Sequence, residues 1–177
     1  MLPTDYQSFI HQSRYSRWLE GEERRETWEE TVTRLLNFYK VFIKEKHDYD
    51  MPKELFTDLY VAIVTLKIMP SMRAMMTAGP ALERNHIAAY NCSYLPVDSP
   101  RAFDECLYIL MHGTGVGFSV ERQYVNQLPP VPDSVEETET TIIVQDSKEG
   151  WFRGFKELIN LLYAGMMPRW DMRKLRP

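Results

Sequence analysis

Apolar residues recur at helical spacing through the first third of the chain. The pattern predicts one helix over about Asp5 to Leu19. A second opens with Thr27-Trp28-Glu29-Glu30, where the Thr side chain and the Glu three residues on can satisfy each other's free backbone donors. Its apolar positions Trp28, Val32, Leu35, Leu36, Tyr39 and Ile43 fall on one face. A third starts near Pro52, gathers Leu55, Phe56, Leu59, Ile63 and Leu66 on its buried side, and stops at Pro70.

From Met69 to Pro80 the pattern has no clean period and is bracketed by prolines. Ala88 to Val97 reads as a buried strand closed by Pro96 and a turn at Asp98. A helix follows, with Ser99 placed to cap it, Pro100 in its first turn, an apolar face of Phe103, Leu107, Leu110 and Met111, and Gly113 at its end. Val116 to Val120 is a short strand, Leu128 to Pro132 a stiff loop, and Asp133 to Thr140 a solvated connection or hairpin. The last helix runs from about Ser147 to Ala164 with Trp151, Phe155, Leu158, Ile159 and Leu162 facing inward. Helices followed by strands alternating with helices predict an α/β fold and exclude a helical bundle. The end, Asp171 to Pro177, carries no helix stop and no polar tail, and reads as cut in mid-element. A single closed core is therefore not expected.

Composition changes this picture little. At 177 residues with 44% hydrophobic and 26% charged residues the chain is of ordinary globular make-up. A net charge of −4 argues against a general nucleic-acid binder or an anionic-membrane binder. No apolar run approaches the ~18 residues of a membrane span, and the N-terminus lacks a signal-peptide core. The reading is a soluble cytoplasmic protein with reduced thiols, Cys92 and Cys106.

Candidate chemistry is sparse. Taken alone, both cysteines read as packing residues, Cys92 in a strand and Cys106 on a helix. No zinc or other metal site is expected, because neither CxxC nor HExxH occurs and His11, His47, His86 and His112 are unclustered. Gly113-Thr114-Gly115-Val116-Gly117 can bring backbone amides close to a ligand, or can simply be a tight turn. No Lys-Ser/Thr follows it, so it is not a P-loop. Asp98-Ser99 is either a capping pair or a carboxylate held beside a helix N-terminus.

The order of these pieces is more informative than any one of them. Tyr15-Ser16-Arg17-Trp18-Leu19, Pro70-Ser71-Met72-Arg73, Asn91-Cys92, Gly113 to Val120 and Asp146 to Trp151 occur in the order and approximate spacing of the large catalytic subunit of ribonucleotide reductases. The chain resembles that family from about Tyr15 to Pro177, and most of all its adenosylcobalamin-dependent branch, with a viral source as one reading. The resemblance implies an N-terminal helical region, residues 1–68, followed over 69–177 by the first strands and helices of a ten-stranded α/β barrel, truncated at the C-terminus. It implies reduction of ribonucleotides to deoxyribonucleotides by radical chemistry for DNA synthesis, with Cys92 as one of a redox pair, buried at a strand end and facing the barrel interior. Cys106 matches nothing functional.

By the same resemblance Ser71, Asn91 and Gly115 line the substrate pocket, and Asp98, Ser99 and Arg122 belong to the site of a deoxynucleotide effector. The implied cofactor is adenosylcobalamin, with a metal cofactor on a separate ferritin-like subunit as the alternative. The implied partners are the ribonucleotide, the effector, a thioredoxin-like reductant, the C-terminal remainder of the reductase and a second copy in a homodimer, with no nucleic acid and no membrane; if the chain is viral, the compartment is the host cytoplasm. Three departures stand out. Met69 replaces a Thr common in relatives, the stretch Pro129 to Asp146 is short where a monomeric relative carries a dimer-mimicking insertion, and no ATP-binding regulator domain is resembled. A non-catalytic nucleotide-binding module is the reading from another class.

Overall fold

The computed structural model describes residues 2–176, which form two compact units, one up to Tyr90 and one from Asn91 onward. The sequence reading puts its boundary at 68/69, so the segment 69–90 falls within the first compact unit.

In the first unit, helix α1 (Asp5–Ile10) starts on a capping box between Thr4 and Gln7 and runs into a π-helical turn, His11–Tyr15. The expected single helix to Leu19 is not formed. Ser16 is extended, its hydroxyl donates to the Glu26 carbonyl at 3.0 Å, and strand β1 (Trp18–Leu19) pairs antiparallel with β2 (Arg24–Arg25). Helix α2 (Trp28–His47) begins on the expected Thr27/Glu30 box, with Glu30 N donating to Thr27 Oγ1 at 3.2 Å and Thr27 N to Glu30 Oε2 at 2.7 Å.

Helix α3 (Lys53–Val64) ends well before Pro70, because Leu66 turns left-handed (φ 59°) and Lys67 N donates to the Ala62 carbonyl. Leu55 is exposed rather than inward-facing. The aperiodic stretch 69–80 holds a short helix, α4 (Met72–Thr77), and the start of another, α5 (Pro80–Arg84); a 3-10 turn, His86–Ala89, comes next. The core of this unit is Trp28, Val32, Leu35, Leu36, Ile63, Ala74, Met75 and Ala78.

The second unit contains two strand–helix–strand units with parallel strands. In the first, β3 (Cys92–Pro96), α6 (Arg101–Met111) and β4 (Gly115–Ser119) place Cys92 opposite Gly115 and Pro96 opposite Ser119. A short helix α7 (Arg122–Val125) follows. In the second, β5 (Glu136–Ile143), α8 (Lys148–Tyr163) and β6 (Met166–Asp171) pair with a register irregularity between Glu137 and Thr141.

The expected strand 88–97 is thus shorter, because Asn85 Oδ1 accepts from Ile87 N and folds 86–89 into the 3-10 turn. The expected solvated connection 133–140 is partly strand β5, fastened to β6 by the Arg169–Glu139 ion pair. Helix α8 starts where expected, with Ser147 Oγ accepting from Gly150 N at 2.9 Å, although Trp151 is partly exposed. Gly154 lets α8 lie close on Ile142, Val144 and Trp170. Among the described residues the strands form three two-stranded sheets and no closed barrel, and no helix is long and apolar enough to cross a membrane.

Candidate functional site

The β3–β4 pair carries candidate residues at both of its ends. In parallel strands, register partners point to the same face and neighbours along a strand alternate. Cys92 and Tyr94 therefore share a face with Gly115 and Gly117, whereas Leu95 and Phe118 belong to the opposite one. At the N-terminal end Gly115 N donates to the Asn91 carbonyl at 3.0 Å, Ser93 Oγ donates to the Gly115 carbonyl at 3.2 Å, and Asn91 Nδ2 donates to Cys92 Sγ at 3.4 Å.

Cys92 is exposed, not buried as the sequence reading expected. The reason is local: the residue opposite it is a glycine, which offers no side chain to cover the sulfur. Gly113 is required by the backbone, since it ends α6 at φ 81°. Gly115 and Gly117 are not. Neither has a positive φ, and a Cβ at either would meet its nearest atoms at 3.6 Å and 3.8 Å, ordinary contact distances. Two glycines in a strand cost stability, and here they leave an open floor beside a thiol.

At the other end of the pair, about 13 Å away at ~3.3 Å per residue, the chain passes through Asp98 and Ser99 into α6. Ser99 contributes its carbonyl to Ala102 N at 3.0 Å but not a side-chain cap, because the helix begins a residue later, with Pro100 in the capping position. Asp98 and Ser99 are half-buried; Arg122, just beyond β4, is exposed at the start of α7.

Cys106 lies away from Cys92. With Leu95, Ala102, Leu107, Phe118 and Phe155 it lines an apolar groove of about 690 Å³ on the opposite face of the strand pair. Phe103 and Leu110, expected inside, line the same groove and are partly exposed there. Ser71, in the first unit, is exposed and caps α4, its Oγ accepting from Ala74 N at 3.5 Å. Asn91, Cys92 and Gly115 are thus brought together, and Asp98, Ser99 and Arg122 lie toward the other end of the same strands. Sequence reasoning named Gly117 only as part of the glycine run and did not single out Tyr94, and it placed neither on the Cys92 face. Their signal was present, since glycines two apart in a strand clear one face. Among the described residues no group of three or more His, Cys, Asp or Glu could hold a metal ion.

Residues 2–80 match the ribonucleotide reductase alpha domain. The chain is 31% identical over 156 residues to the adenosylcobalamin-dependent ribonucleoside-triphosphate reductase of Lacticaseibacillus paracasei, covering 70% of this chain and 20% of that one. It is 29% identical to the enzyme of the same name from Levilactobacillus brevis over 70% of this chain and 20% of that one. For the Lactobacillus leichmannii enzyme the identity is 23%, over 77% and 22%. The chain spans about a fifth of the length of the curated relatives it matches. A crystal structure of a B12-dependent class II ribonucleotide reductase superposes with a TM-score of 0.80 at 22% identity, covering 96% of this chain and 32% of that chain. The matched alpha domain and the shared fold agree with the order of motifs along the chain: residues 2–80 carry the ribonucleotide reductase alpha domain, and the chain as a whole is similar to adenosylcobalamin-dependent ribonucleoside-triphosphate reductases.

Proposed function

We propose that the chain forms the N-terminal portion of an adenosylcobalamin-dependent ribonucleotide reductase and that Cys92 is one of the two thiols that reduce substrate. The observation that carries this reading is the exposed Cys92 thiol, opposite Gly115 and contacted by the Asn91 amide. A ribonucleotide on the glycine floor brings its ribose to that sulfur. Overall, two thiols become one disulfide, C2′ is reduced by two electrons, and the 2′ hydroxyl leaves as water. The second thiol of the pair is not Cys106, which faces the groove on the other side of the strands. A thioredoxin-like dithiol then regenerates the pair.

Asn91 and Gly115 border the substrate, and Ser71 offers its hydroxyl hydrogen to a substrate oxygen while its lone pair caps α4. Asp98 and Ser99, with Arg122, receive the deoxynucleotide effector: the carboxylate accepts from a ribose hydroxyl, and the guanidinium meets phosphate. Placing effector and substrate at opposite ends of one short strand pair gives a direct mechanical route between them. A second copy completes the effector site in a homodimer. Cobalamin is assigned to the complete enzyme from the names of the relatives. The donors gathered here, one thiol with backbone amides, do not make a corrin site, so no residue of this chain is assigned to it and no step is routed through it.

The test is substitution in the complete reductase. Cys92→Ser abolishes multiple turnover with a dithiol reductant, because a hydroxyl cannot form the disulfide, and Cys106→Ser retains it. Equal loss in both variants refutes the assignment.

A further inference from the structure

Two of the sequence motifs meet around a buried cluster of charge. Glu26 and Arg34 have side chains only 6% and 16% exposed. Arg34 Nε donates to Glu26 Oε1 at 2.7 Å and Nη2 to Oε2 at 3.0 Å. The same carboxylate accepts from Thr31 Oγ1 at 3.0 Å and from Arg17 N at 3.2 Å, and Thr31 Oγ1 is hydrogen-bonded to His11 Nε2 at 2.9 Å.

The Arg34 guanidinium does not stop at the carboxylate, and that of Arg17 reaches the same helix end. Arg34 Nη1 donates to the carbonyls of Met75 and Ala78, both at 3.0 Å, and Nη2 to that of Tyr15 at 3.3 Å. Arg17 Nη2 donates to the Met76 carbonyl at 3.3 Å and its guanidinium lies against Gly79, where an added Cβ would stand 3.1 Å from Nη1. Arg34 alone pairs with the Glu26 carboxylate; the Arg17 guanidinium is drawn to both Glu26 and Glu83, and both guanidinium groups meet the carbonyl end of α4, the negative end of its dipole.

We propose that Arg34, Arg17 and Glu26 are positioning residues of the reductase: they clamp the C-terminal end of α4 and so fix where Ser71, at its N-terminal end, meets the ribonucleotide. This rests on the reading of Ser71 as a substrate contact. Helix α4 has six residues, far fewer than the ~12–15 a helix needs to be stable alone, so its placement comes from its neighbours. Its buried side chains Ala74 and Met75 set its depth, while the guanidinium forks set its tilt. From Thr77 back to Ser71 is about 9 Å at ~1.5 Å per residue. A tilt of about 10° about the clamped end moves Ser71 by about 1.5 Å, and a misplacement of ~1 Å at a reacting complex can cost ~100-fold. A self-contained buried ion pair would have no such reach, and its replacement by apolar groups would leave function untouched.

The test uses the complete reductase, with steady-state kinetics for the ribonucleotide and hydrogen exchange over residues 71–78. Arg34→Lys keeps the charge but loses the fork. It raises KM about tenfold or more with kcat within about threefold, and speeds exchange at Met75 and Ala78. Ser71→Ala raises KM as well, and combining the two adds little, since both act through one contact. The double variant Glu26→Leu/Arg34→Met removes the buried carboxylate together with the guanidinium paired to it; it folds and shows the same KM increase.

If Ser71→Ala raises KM and neither clamp variant does, the clamp is refuted while the substrate reading stands. If the clamp variants raise KM and Ser71→Ala does not, the role of Ser71 is refuted and with it the proposal as stated. If neither changes KM, both fall. If Arg34→Lys and the double variant both fail to fold, the cluster is a folding element and the proposal is overturned.

Discussion

Gly115→Ala separates what the fold needs from what the ligand needs. The backbone there has no positive φ, and the new methyl would meet the Asn91 carbonyl at 3.6 Å, an ordinary contact. Alanine at a compatible position narrows the unfolded ensemble and stabilises by about 0.4–1 kcal/mol. At about 2–4 °C per kcal/mol for a chain of this size, Tm rises by about 1–4 °C. On the ligand side the methyl stands on the same face as Cys92, in space assigned to ribose. Overpacking of that kind costs about 1–3 kcal/mol, which at ~1.4 kcal/mol per decade is about 5- to 150-fold in substrate affinity. The assays are thermal unfolding by circular dichroism and kcat/KM in the complete reductase. A clear drop in Tm would show that Gly115 is a structural glycine. A raised Tm with unchanged kcat/KM would show that no substrate lies over it.

Two further outcomes follow from the same geometry. Asp98→Ala leaves basal reduction largely intact and raises the effector concentration for half-stimulation by about 10- to 100-fold, from ~1.5–3 kcal/mol for a charged hydrogen bond; collapse of basal turnover with an unaltered effector response would move Asp98 into the substrate pocket or the fold. Acid destabilises the first unit in two stages. Burial lowers the His11 pKa against the partial opposition of Glu26 and Glu29, so its contribution is complete above about pH 6.5 and is lost as pH falls through the lower folded value. Burial would raise the Glu26 pKa, but the hydrogen bonds from Arg34 and from the Arg17 backbone outweigh it and hold the carboxyl below its ordinary value. Its contribution is present above about pH 4.3 and is lost as pH falls through that lower value. Urea unfolding across pH 7 to 3 reads both stages; a flat profile, or one that Glu26→Gln leaves unaltered at the acid end, contradicts the linkage.

Local chemistry was written plainly in the chain. The Thr27/Glu30 box, the Ser147 cap and the alternation of strands with helices follow from side chains acting on their own neighbours, and each forms as read. The order of five short motifs likewise carries the resemblance to the family. Gly150 belongs to this class only in part. The motif marked it, but the reason for it, a collision of any Cβ with the Gln145 carbonyl, is visible only in three dimensions.

What packing decided lies between distant segments. No periodicity told that Ser16 would leave the helix for Glu26, that Arg34 would reach the carbonyls of Met75 and Ala78, or that the aperiodic stretch 69–80 would become helix α4 and the start of α5. Those outcomes depend on partners far apart in the chain, whose hydrogen bonds compete with local propensity and win once the groups are buried. The exposure of Cys92 is of the same kind. Its own neighbours read as a buried strand, but the β3–β4 register puts a glycine across the pair, and no side chain there covers the sulfur.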